Sequence, residues 1–222
     1  MGPYDAPMLD LTADQLLSTT RAVRKRLDFD RPVDMALITE CVEAAQQAPT
    51  GSNLQKWHFV VVTDPELKAR VGDYYGQAFA RYRDMPTYAG NQDFGDVARN
   101  AQQFRVTASA EYLAENMGRA PALVIPCVEG RTDGLPGVAQ AGTWGGILPA
   151  AWSFMLCARA RGLGTCWTTL HLLYEKEVAE VLGIPFDDVM QTVLSPIAYT
   201  IGTDFKPAAR PSAETIMHID GW

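Results

Sequence analysis

At 222 residues, 47% of them hydrophobic and 20% charged, the chain has ordinary globular usage and enough length to bury a sizeable core. With 19 Lys plus Arg against 26 Asp plus Glu, the net charge is −7. That charge repels nucleic-acid phosphates and anionic lipid surfaces and argues against both partners.

No apolar run approaches the roughly 18–20 residues of a membrane span. The N-terminal stretch MGPYDAPMLDLTADQ lacks the basic and apolar regions of a secretory signal, so a cytoplasmic protein is expected. No Gly-, Ser- or Pro-rich tract divides the chain, and residues 1–222 read as one domain. The cysteines Cys41, Cys127, Cys157 and Cys166 show no C-x-x-C spacing. Cys41 and Cys157 sit in apolar helical patterns, where a buried thiol packs as a small hydrophobe. Disulfides are not expected in a reducing compartment.

In chain order, Thr12-Ala-Asp-Gln15 is a capping box that starts a short helix. Asp34 reads as the N-cap of a helix carrying Ile38, Cys41, Val42, Ala45 and Ala48 at helical spacing, ended by Pro49 and Gly51. Trp57 to Thr63 is a β-branched and aromatic strand. Asp64-Pro65-Glu66 supplies an N-cap, a proline at the first helical position and an acidic first turn. Residues 85–95 lack any period and read as a mobile loop, a candidate cover for a site. A helix from about Asp96 to Asn116 precedes a strand from Ala122 to Val128.

The segment Thr143 to Arg161 is apolar almost all round, as in a central buried helix. Pro149 is expected to kink it or lie near its start, and Gly162 and Gly164 close it. A short helix from Tyr174 to Leu182 leads to a strand from about Met190 to Thr200. The tail from Ala213 to Trp222 reads as partly extended. Helices outnumber strands without regular alternation, which favours an α+β sandwich with a small mixed sheet.

Several chemistries lack their residues. There is no G-x-S-x-G elbow and no Walker A loop. Gly162-Leu-Gly164 follows a helix rather than a strand, which is the wrong context for a dinucleotide fingerprint. His58, His171 and His218 have neither metal-ligand spacing nor a nearby carboxylate set, and each reads as a satisfied structural residue.

Three stretches stand out. Arg21-Ala22-Val23-Arg24-Lys25-Arg26 places four cations in six residues of an acidic chain. Read plainly, it is a solvated linker; as a site, its arginine forks suit a phosphate. In Ala48-Pro-Thr-Gly-Ser-Asn-Leu-Gln-Lys-Trp57, an extended chain would put Asn53, Gln55 and Trp57 on one face. Paired carboxamides offer donors and acceptors to the edge of a heteroaromatic ring; the plain alternative is loop polarity with Trp57 in the core. In Arg159 to Leu170, Gly162 and Gly164 allow close backbone approach, and Thr168 and Thr169 could present amides or hydroxyls. The plain alternative there is a helix stop followed by a strand.

Together these stretches resemble the FMN-dependent nitroreductase family. That family carries an N-terminal R-S-x-R-type segment and an A-P-S-x-x-N-x-Q-P-W segment. A G-L-G-type turn follows a central helix, and a basic residue lies late, near a proline. Here they stand as Arg21-Ala-Val-Arg24, Ala48 to Trp57, Gly162-Leu-Gly164 with Cys166-Trp-Thr168, and Arg210-Pro211, in register over residues 12–220. Ala22 replaces the usual serine, Thr20 a frequent basic residue and Lys56 the usual proline. Ala209 leaves a single late arginine.

The resemblance implies a nitroreductase-like α+β fold, an intertwined homodimer, and FMN bound by residues of both chains. Arg21, Arg24 and Arg210, and more weakly Lys206, would grip the FMN phosphate and ribityl chain, with Arg24 nearer the pyrimidine end. Ala22 would contribute backbone alone. Thr50 to Ser52 would give backbone contacts, Asn53 and Gln55 would face the ring and ribityl groups, and Trp167, Thr168 and Thr169 would bring amides to the ring.

The apolar helix from Thr143 to Arg161 and the tail ending Ile219-Asp-Gly-Trp222 would meet the partner subunit. Tyr88, Phe94 and Trp144 would shape the acceptor pocket. The implied chemistry is ping-pong hydride transfer from NADPH or NADH through FMN to a nitroaromatic, quinone or similar small acceptor, with no obligatory side-chain nucleophile. Other flavin- or deazaflavin-linked reduction on the same fold, and flavin binding without turnover, stay open as alternatives.

Overall fold

The computed structural model describes residues 8–222; the first seven residues of the N-terminal stretch lie outside the described residues. The capping box forms as expected. Gln15 N–H donates to Thr12 Oγ1 at 3.2 Å and Thr12 N–H to Gln15 Oε1 at 2.9 Å, starting helix α1 at Ala13–Thr19. Asp34 caps α2, Met35–Ala45, through Ala36 N–H at 2.9 Å. The helix stops three residues short of Ala48. Asp64 accepts from Glu66 and Leu67 amides, both at 2.9 Å, at the head of α3, Pro65–Arg83. Asp96 does the same through Arg99 N–H at 2.7 Å for α4, Val97–Asn116.

Helix α5, Gly137–Ala160, begins well before Thr143 and runs through Pro149. The proline is thus interior rather than near the start. Small residues, Gly145, Gly146, Ala150 and Ala151, flank it in the sequence. Helix α6, Glu175–Leu182, ends on Gly183 in the left-handed region, at φ 67°.

The strands are β1 Leu27–Asp28, β2 Trp57–Val62, β3 Ala122–Glu129, β4 Leu163–Thr165, β5 Val189–Gln191 and β6 Ser195–Thr200. The path β1-β6-β3-β2 is joined by β4 on β6 and β5 on β3. The strand expected from Met190 to Thr200 is therefore two strands that pair with opposite ends of β3, and β1 and β4 are additions too short to show a period. Every named pairing is antiparallel, for example Trp57 opposite Val128 and Leu163 opposite Tyr199. The expected mixed sheet is corrected accordingly: its parallel component is confined to isolated bridges such as Ala22 with Thr165.

Alternation along β3 serves two cores. Leu123, Ile125 and Cys127 join Val71, Tyr75, Leu113 and Val178 on the side of α3, α4 and α6. Ala122 and Val124 join Ile38, Cys41, Phe154 and Ala158 on the side of α2 and α5. Burial on both faces explains why β3 is apolar without a visible period. All four cysteines are buried free thiols. Among the described residues, no helix is long and apolar enough to cross a membrane.

The 85–95 segment lies between helices, as expected, but it is anchored. Tyr88 is buried, and its hydroxyl donates to Glu111 Oε1 at 3.1 Å. Its ring meets Tyr82 edge-on at 5.2 Å, while Ala89 N–H donates to the Tyr82 hydroxyl at 3.1 Å. The tail forms a single 3₁₀ turn, Ala213–Thr215, and leaves Ile216, Met217, Ile219 and Trp222 exposed.

His171 corrects another expectation. It is fully buried, yet neither ring nitrogen has a hydrogen-bond partner. Burial pushes its pKa down to about 3, so it stays a neutral ring. His58 Nε2 does have a carboxylate neighbour, Glu129 Oε1, at 3.4 Å.

Candidate functional site

The site is built around the turn that follows α5. Gly162, at φ 73°, reverses the chain in the left-handed region. Gly164, in β4, has no room for a side chain. A Cβ there would lie 2.8 Å from Thr200 Cγ2, 2.9 Å from Leu27 Cδ2 and 3.1 Å from Val23 Cβ. That close crossing lets the basic N-terminal segment lie directly on β4, where Val23 N–H donates to the Thr165 carbonyl at 2.8 Å.

Two of the expected stretches thereby meet. Arg24, Trp167, Thr168 and Thr169 line one cleft of about 390 Å³, together with Tyr75 and Tyr88. Arg24 Nη1 donates to Ser109 Oγ at 3.4 Å and has no carboxylate partner among the described residues. The amides of Trp167 and Thr169 have no acceptor among the described residues. Thr168 differs: its N–H and its hydroxyl both donate to Leu194 O, at 3.2 and 2.6 Å, so it holds the segment in place. Beneath it, burial raises the pKa of the Cys166 thiol, with Arg24 pulling the other way. The cleft therefore offers a guanidinium without a carboxylate partner and two free amides, a donor set suited to an electron-rich heteroaromatic ring.

Thr50, Ser52 and Gln55 line a second cleft of about 310 Å³ against Gly142, Thr143 and Gly146 of α5. It shares no lining residue with the first. The expected extended face of Asn53, Gln55 and Trp57 is not present. The chain curls here because Asn53 N–H donates to Thr50 O at 3.1 Å and Gln55 N–H to Thr50 Oγ1 at 3.3 Å. Ser52, Asn53 and Gln55 consequently take φ of 52°, 54° and 49°. Left-handed non-glycine residues are costly, and strain of this kind clusters at functional sites. The two carboxamides still meet, with Gln55 Nε2 donating to Asn53 Oδ1 at 2.8 Å.

The remaining candidates lie elsewhere. The Arg21 guanidinium caps the Lys206 carbonyl, Nε at 2.9 Å with a second bond from Nη2. Arg210 lines a third cleft beside α4, apart from Arg21 and Arg24. Of the three aromatic residues expected around an acceptor, Tyr88 alone lines the Arg24 cleft. Trp144 packs against the buried cluster of Val128, Ile147 and Met190, and Phe94 lies beneath the Arg99 guanidinium at 4.5 Å. Sequence reasoning missed Tyr75, Phe79 and Tyr82, which also line that cleft. Their four- and three-residue spacing on one helix face was the available signal.

A nitroreductase family profile matches residues 17–200. The chain is similar to the crystal structure of the FMN and NADPH-dependent nitroreductase NfnB from Sphigopyxis sp. strain HMH. The two are 26% identical with a TM-score of 0.68, covering 96% of this chain and 100% of that one. A Bacillus subtilis protein that carries the name NAD(P)H nitroreductase YodC is 26% identical over 208 residues, 91% of this chain and 95% of its own. Iodotyrosine deiodinase bound to FMN and 3-iodo-L-tyrosine shares the fold, with a TM-score of 0.65 at 19% identity over 89% of this chain and 93% of that one. The profile match over most of the chain and the shared fold place this chain in the nitroreductase family.

Proposed function

We propose that the whole chain, 1–222, is one FMN-binding domain of a homodimeric NAD(P)H oxidoreductase that reduces a nitroaromatic, a quinone or a similar small organic acceptor. The observation that carries this reading is the β4 crossing, which sets Arg24 and the free amides of Trp167 and Thr169 in one cleft. FMN held there would supply hydride transfer between the nicotinamide donor and the acceptor. Arg24 would neutralise negative charge developing at the pyrimidine edge, favouring the reduced cofactor. The Trp167 and Thr169 amides would hydrogen-bond the ring, and the Tyr75, Tyr82 and Tyr88 side would exclude water and stack against a planar acceptor. Arg21 and the backbone of Ala22 and Lys206 would hold the FMN phosphate.

The homodimer is supported by division of the site. Thr50, Ser52 and Gln55, expected to meet the same cofactor, line a different cleft of the chain, and Asn53 lines neither. A second copy would bring its strained turn to the first copy's Arg24 cleft. Exposed Val138 and Trp152 on α5, with the apolar tail, offer the contact surface. No nucleic acid or membrane partner is proposed, and a cytoplasmic setting fits this chemistry.

Steady-state kinetics of the FMN-loaded protein test the function. Varying NADPH or NADH against menadione and nitrofurazone should give parallel double-reciprocal lines, as a shared donor and acceptor position requires. Absence of turnover with every pair would reduce the protein to a flavin binder. Light scattering should give twice the chain mass.

A further inference from the structure

Helices α2 and α5 pack against each other and bury two cysteines, Cys41 and Cys157, in the same apolar cluster. Their thiols face each other, with the Cys41 S–H donating to the Cys157 sulfur. Two charged side chains close around the pair. Arg161 Nη1 donates to Cys157 Sγ at 2.8 Å and to the Cys157 carbonyl at 3.3 Å. Arg161 Nε donates to Glu40 Oε2 at 2.7 Å, and Cys157 Sγ lies 3.8 Å from the Glu40 carbonyl.

These neighbours make the two sulfurs unequal. The Cys41 S–H bond and the Arg161 guanidinium hold Cys157 below the ordinary thiol range, against burial and the Glu40 charge. The same bond and burial push Cys41 up, so it keeps its proton. An N–H···S contact as short as 2.8 Å fits a charge-assisted bond to sulfur. The thiolate is the reactive form of cysteine. One sulfur of the pair is therefore activated, and its neighbour stands beside it as a thiol.

The other two cysteines lack this arrangement. Cys127 donates to the Ile125 carbonyl at 3.4 Å, and burial pushes its pKa up to about 12. Burial also raises the Cys166 thiol. No second thiol acts on either. Access differs within the pair as well: Cys157 retains 8% of its surface and Cys41 none. That suits attack at Cys157 by a reagent little larger than water. Cys157 also lies about 140° round α5 from the exposed Trp152, away from the surface offered above to a second copy.

We infer that Cys41 and Cys157 form a peroxide-responsive dithiol that closes to a disulfide between α2 and α5. The Cys157 thiolate attacks one oxygen of hydrogen peroxide and breaks the O–O bond. The departing hydroxide takes up a proton and leaves as water, and Cys157 becomes the sulfenic acid. The Cys41 sulfur then attacks the Cys157 sulfur. The S–S bond forms, the S–O bond breaks, and the hydroxyl leaves with the Cys41 proton as a second water. Two electrons pass from sulfur to peroxide, and a dithiol reductant reverses the change. The bond would tie the helix that leads to the Thr50 to Gln55 turn to the end of the helix that leads into the β4 crossing. It does not depend on the flavin chemistry, since neither sulfur lines the candidate flavin cleft.

The test uses the purified full chain with FMN and without a nicotinamide donor, exposed to a small excess of hydrogen peroxide. Titratable thiols under denaturing conditions should fall from four to two per chain, and dithiothreitol should restore them. Non-reducing peptide mapping should show Cys41 joined to Cys157 within one chain. In Cys41→Ser, dimedone should trap a sulfenic acid at Cys157. In Cys157→Ser, thiol loss should slow about tenfold or more, since the remaining sulfurs keep their protons. Arg161→Gln should slow the reaction in the same direction, and Arg161→Lys, which keeps the cation, should slow it less.

Four thiols surviving peroxide that oxidises glutathione in a parallel tube would overturn the inference. So would a cross-link between chains, a disulfide at any other pair, or a Cys157→Ser protein that loses thiols at the parental rate. If the variants do not fold, the peptide map of the parent decides alone.

Discussion

The N–H of Val23 donates to the carbonyl of Thr165 at 2.8 Å, and this bond carries Arg24 to the edge of the segment Trp167 to Thr169. It exists because Gly164 lets the two segments cross. Gly164→Ala would drive a Cβ to within 2.8 Å of Thr200 Cγ2, with Leu27 and Val23 closing the other directions. Overpacking of this kind costs about 1–3 kcal/mol. The expected result is a lower Tm together with FMN affinity weakened more than tenfold. Thermal melts with and without FMN, beside a fluorescence titration, would check it. An alanine variant with parental FMN affinity would disconnect the crossing from the site.

The strained turn at Ser52 to Gln55 should separate stability from binding. Asn53→Gly removes a left-handed asparagine, but glycine adds unfolded-state entropy of roughly 0.5–1 kcal/mol. The two terms nearly cancel, so Tm should stay close to the parent value. The variant also removes the acceptor of the Gln55 side chain, Asn53 Oδ1 at 2.8 Å. Loss of one such hydrogen bond and its ligand contact, about 1.5 kcal/mol, should raise the FMN Kd about tenfold. If Tm and FMN affinity fell in parallel, the turn would be structural only.

His171 should shape the acid limb of stability. Burial lowers its folded pKa to about 3 from an ordinary 6.5. Below pH 6.5 the unfolded chain takes up a proton that the folded chain refuses, so stability is lost as pH falls from 6.5 towards 3. The slope from this one group approaches 1.4 kcal/mol per pH unit within that window. His171→Phe should flatten the fall in Tm between pH 6.5 and 4.5 relative to the parent. An unchanged slope would mean that the imidazole is protonated in the fold.

A charged clamp ties the start of α6 to the end of β3 and to β5. Arg131 reaches Glu175 through Nη2 at 2.8 Å and Nη1 at 3.2 Å, and also Asp133 at 2.8 Å. Gln191 N–H donates to Glu175 Oε1 at 3.0 Å. Glu175→Ala would remove the two-pronged partner of the Arg131 guanidinium, leaving it Asp133 and the Phe186 carbonyl, and would leave the buried Gln191 amide without its acceptor, at a cost of about 3 kcal/mol. Urea unfolding should show a lower midpoint with the same slope. FMN affinity should be unchanged, since the clamp lies outside the flavin cleft.

Helix boundaries governed by side-chain caps were legible, because Thr12, Asp34, Asp64 and Asp96 each satisfy local backbone donors. Strand β2 was legible from its composition. Strands β1 and β4 were not: two or three residues show no period, and they pair only because Gly164 permits a tertiary crossing. The mid-helix Pro149 and the unsatisfied His171 likewise depend on what surrounds them. At the site, the sequence brought forward Arg24 and Trp167 to Thr169, which share a cleft. It could not show that Thr168 spends its donors on Leu194, or that Arg210 lies with Arg99 and Arg105. Nor could the alternation rule foresee the curl at Asn53 and Gln55, since the Thr50 hydroxyl and carbonyl there compete with the extended form.

The central claim is tested most directly by the visible spectrum of the purified protein after incubation with FMN and gel filtration, followed by anaerobic addition of NADPH and then NADH. The account predicts retained flavin bands near stoichiometry with the chain, bleached by at least one donor. A colourless protein that does not retain FMN would contradict it.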